Sequence, residues 1–315
     1  MTTHTTTTQT AMTQMATTRT TTVHRDITDA AHVALDGDRR SSTVVANRLY
    51  EWYVNRTPLP QQCGTRSAMD ITPATALRAA HSGSGRFVPG WSIVEVTGLA
   101  SCIAVADDGT ERHLLPGEFR RTGRGAMRAG ERVLVEAAWS WVEADTGFWL
   151  TRFGPWVPPG SDALARVYVN VTPHQALDVI AGLSHVLMRA ETSFIIKTPA
   201  APTHVGRADA LVLYLGLDDW PQVRDAVIEV GRSRRGQHRS AVPRFSERLA
   251  PGIGWGMGRL DGESFGKLRC DAIGAKVAAT QPTDLRQAIA CVERALETVG
   301  VDSTAPHCET GRRGY

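Results

Sequence analysis

The sequence predicts an α+β fold: a small N-terminal helical and antiparallel β module, followed by a C-terminal α/β layer domain. Three observations carry this. Short alternating runs separated by turn dipeptides fill residues 86–157. Beyond residue 161 the apolar period switches between two and 3.6, in the order strand, helix, strand, strand, helix. The 315 residues, 42% of them hydrophobic, suit one large or two modest domains.

Residues 1–26 are expected to be a disordered Thr-rich tail, because no apolar periodicity offers a core to bury. Residues 27–160 form the expected N-terminal helix plus β-rich module, a candidate for peptide docking. From about Ile27 to Arg78 the pattern is helical, with Val44, Val45, Leu49, Trp52 and Tyr53 on one face and a break at Thr57-Pro58-Leu59-Pro60. Strands follow at Trp91–Val96, Ser101–Ala106, Arg132–Ala137 and Gly147–Phe153, with turns at Asp108-Gly109, Pro116-Gly117 and Arg128-Ala129-Gly130. Pro155, Pro158, Pro159 and Gly160 read as a linker.

Residues 161–315 form the expected α+β domain. Arg166–Val171 alternates as a strand. Thr172 caps a helix with Pro173 first and Ala176, Leu177, Val179, Ile180, Leu183, Val186 and Leu187 inward. Phe194–Lys197 and Ala208–Leu215 read as strands, and Asp219 caps a helix from Trp220 to about Val230. Thr283 is expected to cap the last helix, with Leu285, Ala288, Ile289, Val292, Leu296 and Val299 inward. Between them, Glu263-Ser-Phe-Gly-Lys-Leu-Arg-Cys270 reads as a positioned loop.

Composition narrows the chemistry. Net charge is only +3, and no run of about eighteen apolar residues or secretory core segment occurs, so a cytoplasmic protein without a membrane partner is expected. The five cysteines, at 63, 102, 270, 291 and 308, contain no CxxC pair, and the ten His lack ligand spacing. Neither metal nor cofactor is expected. Phosphate loops, zinc-protease and Ser-hydrolase motifs are missing. Residues 231–276 hold ten basic against four acidic residues, readable as solvated charge or an anion site; no aromatic interleaving supports nucleic acid.

All but three of the 35 basic residues are arginine, which gives each lysine weight. Arg stays protonated, whereas a desolvated Lys can act as a base. Lys197 ends an apolar strand: either it reaches solvent or it is a partly desolvated amine. Arg166, Tyr168 and Asn170 share one strand face opposite three valines, as a polar outer surface or as a site. Arg207 precedes a strand with Asp209 two residues on, as a structural salt bridge or an oriented anion binder.

These residues carry a resemblance. Arg166-Val-Tyr-Val-Asn-Val-Thr-Pro173, Phe194-Ile-Ile-Lys197, Arg207-Ala-Asp-Ala-Leu-Val-Leu-Tyr214, Leu249-Ala-Pro-Gly-Ile-Gly254 and Glu263-Ser-Phe-Gly266 with Arg269-Cys270 resemble the HopA-type effector family. Leu49-Tyr50, Pro89-Gly90-Trp91 and Gly147-Phe148 also fit it. The resemblance covers most of the chain beyond about residue 40. It implies relatives in class V lanthipeptide and thioamitide pathways, beside a peptide kinase, acting as phosphoserine/phosphothreonine lyases on a ribosomal precursor peptide. The strand–helix–strand order is also similar to the effector phosphothreonine lyases, whose general base Lys falls on Lys197. Their acid His falls on Tyr168, and their arginines on Arg207 and Arg269. The Tyr of the next strand falls on Tyr214, and the His that many relatives place before the last Arg is Leu268 here.

The implied reaction forms dehydroalanine or dehydrobutyrine by β-elimination of phosphate, without metal or cofactor. Lys197 takes the Cα proton, and Tyr168 serves the leaving oxygen. Arg166, Arg207 and Arg269 hold phosphate. Asn170, Tyr214 and Ser264 complete substrate binding. The implied partners are a precursor peptide phosphorylated on Ser or Thr and a peptide kinase. A non-catalytic phosphopeptide-binding or effector/scaffold protein using the same arginines is the alternative.

Overall fold

The computed structural model describes residues 25–55, 72–98, 100–154, 163–200, 206–233, 240–259 and 264–312. The Thr-rich start, the Thr57-Pro58-Leu59-Pro60 break, the Pro-rich linker and Glu263 lie outside them.

Two antiparallel sheets organise the chain. The first contains β1 (Phe87–Val96), β2 (Cys102–Ala106), β3 (Glu111–Leu114), β4 (Phe119–Arg121) and β5 (Arg132–Glu136), in the order β3-β2-β1-β5-β4. Ile93, Cys102, Ala104, Leu114, Val133 and Val135 form its own core. The second contains β6 (Trp139–Glu143), β7 (Phe148–Phe153), β8 (Ala163–Val169), β9 (Phe194–Pro199), β10 (Leu211–Gly216), β11 (Glu247–Ala250) and β12 (Ile253–Arg259). Its order is β11-β12-β8-β10-β9-β7-β6. The division expected at residue 160 therefore does not coincide with the sheets. β7 pairs with β9 from Phe148↔Pro199 to Phe153↔Phe194, which draws the β6–β7 hairpin into the large sheet.

Seven helices are described. α1 spans 25–35, and α2 (Ser42–Tyr53) and α3 (Ala74–Ala80) precede the small sheet. α4 (Pro173–Arg189) connects β8 to β9, and α5 (Trp220–Arg232) follows β10. α6 (Phe265–Thr280) and α7 (Leu285–Thr298) close the chain. The helices cover both faces of the large sheet. On one face α4 and α5 pack Ile180, Leu183, Leu187, Trp220 and Val227 against Val167, Val169, Ile196, Leu211 and Leu213. On the other, α1, α2, α6 and α7 gather round Tyr168 and Val212. A central strand buried on both sides explains why all seven residues of β8 are buried.

Several local expectations change. Asp26, expected within the tail, is buried in α1 and its carboxylate accepts from Phe245 N–H at 2.9 Å. Val44 is 46% exposed, while Val45, Leu49 and Tyr53 form the buried stripe. Asp284, not Thr283, caps α7, accepting from Gln287 N–H at 2.9 Å. The expected loop at 263–270 is the start of α6, because Ser264 is its N-cap. Its buried positions recur in adjacent pairs, Phe265/Gly266, Arg269/Cys270 and Ile273/Gly274, a helical stripe that the glycines disguise. Among the described residues no helix is long and apolar enough to cross a membrane.

Candidate active site

Strand register builds the site. Lys197, Val212 and Tyr168 face one another across β9, β10 and β8, and Ile195, Tyr214 and Arg166 form the next row. Directly paired residues point to the same sheet face, so these six side chains share it. Asn170 follows directly after the end of β8. The valines between them pack on α4 and α5. The polar face is not a solvated surface, because α2 and α6 lie over much of it.

At one end Lys197 is partly buried. Its Nζ donates to Glu143 Oε2 at 3.2 Å and lies 4.5 Å from the Phe148 ring centroid. Arg207 approaches the same ring at 6.0 Å. It donates to both Asp209 oxygens at 2.7 Å and to the Tyr50 hydroxyl at 3.0 Å. Burial alone would ease deprotonation of Arg207, but the Asp209 hydrogen bonds and charge, with Tyr50, outweigh it and raise its pKa. Burial likewise resists ionisation of Glu143, yet the Thr146 hydrogen bond and the Lys197 charge leave its carboxyl below the usual value. Tyr214 links this end to Arg166, whose guanidinium carbon sits 5.5 Å from its ring. Burial raises the Tyr214 hydroxyl pKa; Arg166 opposes this, while Asp209, Glu143 and Tyr50 add to it.

The other end is more enclosed. Arg269 is 2% exposed, donates to the Pro306 carbonyl at 3.0 Å and the Phe265 carbonyl at 2.9 Å, and lies 3.5 Å over the Phe265 ring. Burial lowers its pKa to about 10. Arg166 and Arg269 line one pocket with Gly258, Phe265, Leu268 and Glu309. Gly258 makes this possible, since a Cβ there would collide with the Arg166 guanidinium lying across β12.

Three expected site residues are occupied otherwise. Tyr168 is 2% exposed, lies 5.9 Å from Phe265, and has its hydroxyl beside that of buried Tyr53. Burial raises its pKa well above the usual value. The expected acid is thus closed to solvent. Asn170 is fully buried and donates to the Ala241 carbonyl at 2.9 Å, fastening the strand end to the segment before β11. Ser264 accepts from Lys267 N–H at 3.4 Å as a helix cap. Lys197 and Arg207 meet at Phe148, Arg166 and Tyr214 meet in the next row, and Arg269 lies against Phe265.

Sequence reasoning missed Glu143 and the aromatic ring of Phe148 as neighbours of Lys197, and Tyr50 as partner of Arg207. Phe148 and Tyr50 stood within dipeptides that carried the resemblance, which was the available signal. Glu143 had none, because its strand is short and its pairing is long-range.

The fold and face together define a mixed helix and antiparallel-sheet protein presenting a lysine among arginines and tyrosines. The family model described as the HopA1 effector protein family matches residues 143–308, just over half of the chain. The chain belongs to that family. Two solved structures share the fold, both of effector proteins from Pseudomonas syringae. That from pathovar tomato strain DC3000 is 11% identical, with a TM-score of 0.56, covering 93% of this chain and 99% of its own. That from pathovar syringae strain 61 is also 11% identical at a TM-score of 0.56, covering 92% and 98%. At this identity the likeness is one of fold. No curated protein matches the chain.

Proposed function

We propose that this protein is a phosphoserine/phosphothreonine lyase acting on a ribosomal precursor peptide that a partner kinase has phosphorylated. The observation that carries the reading is the placement of Lys197: a partly buried amine on a sheet face, sharing the Phe148 ring with Arg207 and adjacent to Tyr214. Of the other lysines, Lys267 pairs with Asp271 on the solvent side of α6.

In this reading Arg207 and Arg166 hold the phosphate, with Arg269 adding charge from behind Phe265. Lys197 takes the Cα proton, the Cα–Cβ double bond forms, and the Cβ–O pair leaves with phosphate. Glu143 pairs with the ammonium so produced. Arginines already positioned where charge develops stabilise the transition state most. Tyr214 replaces Tyr168 as the hydroxyl that meets the leaving oxygen, because it is only partly buried and stands one strand from Lys197. Phosphate neutralised in this way departs without a metal.

The test is single-turnover dehydration of a phosphothreonine peptide, measured beside its binding constant. Lys197→Ala and Lys197→Arg should each lose roughly 100-fold or more in rate while still binding, since Arg keeps the charge but is no base. Tyr214→Phe should slow turnover with little change in affinity, and Tyr168→Phe should do neither. An active Lys197→Arg enzyme removes Lys197 from the reaction.

That the fold relatives are effector proteins favours a second reading, a phosphoprotein-binding effector using the same arginines. It is separated by the same assay: binding without any elimination by the wild-type chain.

A further inference from the structure

We propose that Arg152, stacked on Trp139, forms a second anion subsite that selects an acidic residue flanking the phosphorylated one in the substrate peptide. The inference rests on the lyase reading for the identity of its ligand and deepens it.

Register places the subsite. Arg152 on β7 pairs with Ile195 on β9 and with Trp139 on β6. Ile195 is two residues before Lys197 on the same face, and Leu150, two before Arg152, pairs with Lys197. Arg152 is therefore a diagonal neighbour of Lys197, about 7–8 Å away. That is the spacing of nearby residues on one extended peptide, about 3.3 Å per residue.

The chemistry of Arg152 asks for an anion. Its guanidinium carbon lies 4.0 Å from the Trp139 centroid, and Arg112 lies 5.2 Å from the same ring. Arg112 is provided for: Glu118 is 3.3 Å away and the Glu136 carbonyl accepts at 2.9 Å. Arg152 makes no hydrogen bond or ion pair among the described residues. Partial burial and the Arg112 charge lower its pKa to about 10, with only Asp108 acting the other way. A half-desolvated cation facing another cation is costly without a counter-charge. The indole fixes the guanidinium plane, leaving a fork of donors that matches an oxyanion bidentately. Trp141, 5.6 Å from Trp139, extends the aromatic floor. None of these residues is needed for the elimination itself, so the subsite governs which peptides are taken.

The experiment measures binding of phosphothreonine peptides carrying a single Glu, Gln or phosphoserine at each flanking position, using the full chain. In the wild type one Glu position should tighten binding about tenfold over Gln, the size of a charge-assisted hydrogen bond. Equal or greater gain from phosphoserine there marks a general oxyanion site; gain from Glu alone marks a carboxylate site. Arg152→Gln should abolish the preference, and Arg152→Lys should keep part of it, both with wild-type thermal unfolding. A preference unchanged in Arg152→Gln, or none at any position in the wild type, overturns the proposal. If Glu-dependent binding persists but no peptide is dehydrated, the lyase reading falls and the subsite stands.

Discussion

His81 shows how much a single side chain depends on its surroundings. It is 2% exposed, stacks 5.7 Å from Phe194, and accepts from Gly83 N–H through Nδ1 at 2.9 Å. Burial lowers its pKa from 6.5 to about 4, with Glu136 opposing only in part. Between those values the unfolded chain binds a proton that the folded chain refuses. The stability this neutral ring contributes is full above pH 6.5 and is lost as pH falls toward 4, by roughly 3 kcal/mol if the whole shift is realised. Urea midpoints at neutral and mildly acid pH should therefore differ less in His81→Gln than in the wild type. An equal difference in both would place the acid sensitivity elsewhere. Neither the burial nor the stacking was legible in the sequence, since His81 sits alone between a helix and a Gly-rich turn.

At the scale of elements, strand β12 decides where Arg166 lies. Its pairing with β8 sets Gly256 opposite Arg166, and Gly258 leaves the room that the side chain crosses. Gly258→Ala should force Arg166 off this path. We expect about 1–3 kcal/mol of destabilisation from overpacking, and weaker phosphopeptide binding, read from denaturant melts and binding constants. Unchanged affinity would show that Arg166 serves packing only. Helix α6 makes the companion point: Gly266 admits the Tyr53 ring, where a Cβ would collide. The strand carrying Arg166, Tyr168 and Asn170 was legible from its alternation. That its polar face lies under helices was not, because residues 263–270 read as a loop and α2 lies more than a hundred residues away.

At the scale of the molecule, the large sheet is assembled across the expected domain division. Trp149 and Leu150 of β7 are buried in it, and Phe148 and Glu143 meet Lys197 there. A fragment of residues 161–315 would expose the edge of β9 and lose those four residues. It should fail to unfold cooperatively by circular dichroism, whereas a fragment beginning before β6 retains the sheet. A cooperative melt of the shorter fragment would mean that the hairpin is an accessory.

The sequence by itself determined the class of fold, the paired helices and strands around 163–232, and the resemblance to the HopA1 effector protein family that residues 143–308 bear out. Those features depend on local periodicity, caps and short motifs, which are written in consecutive residues. It also singled out Lys197 by the scarcity of lysine. Only the tertiary structure decided that Arg207 and Lys197 share Phe148, that Tyr168 and Asn170 are sealed inside, and that Arg152 lies on the Trp139 ring with no ion pair among the described residues. Each of these is set by strand register or by helices laid over a sheet. A one-residue change of register would turn Lys197, Tyr168 and Arg152 to the opposite face.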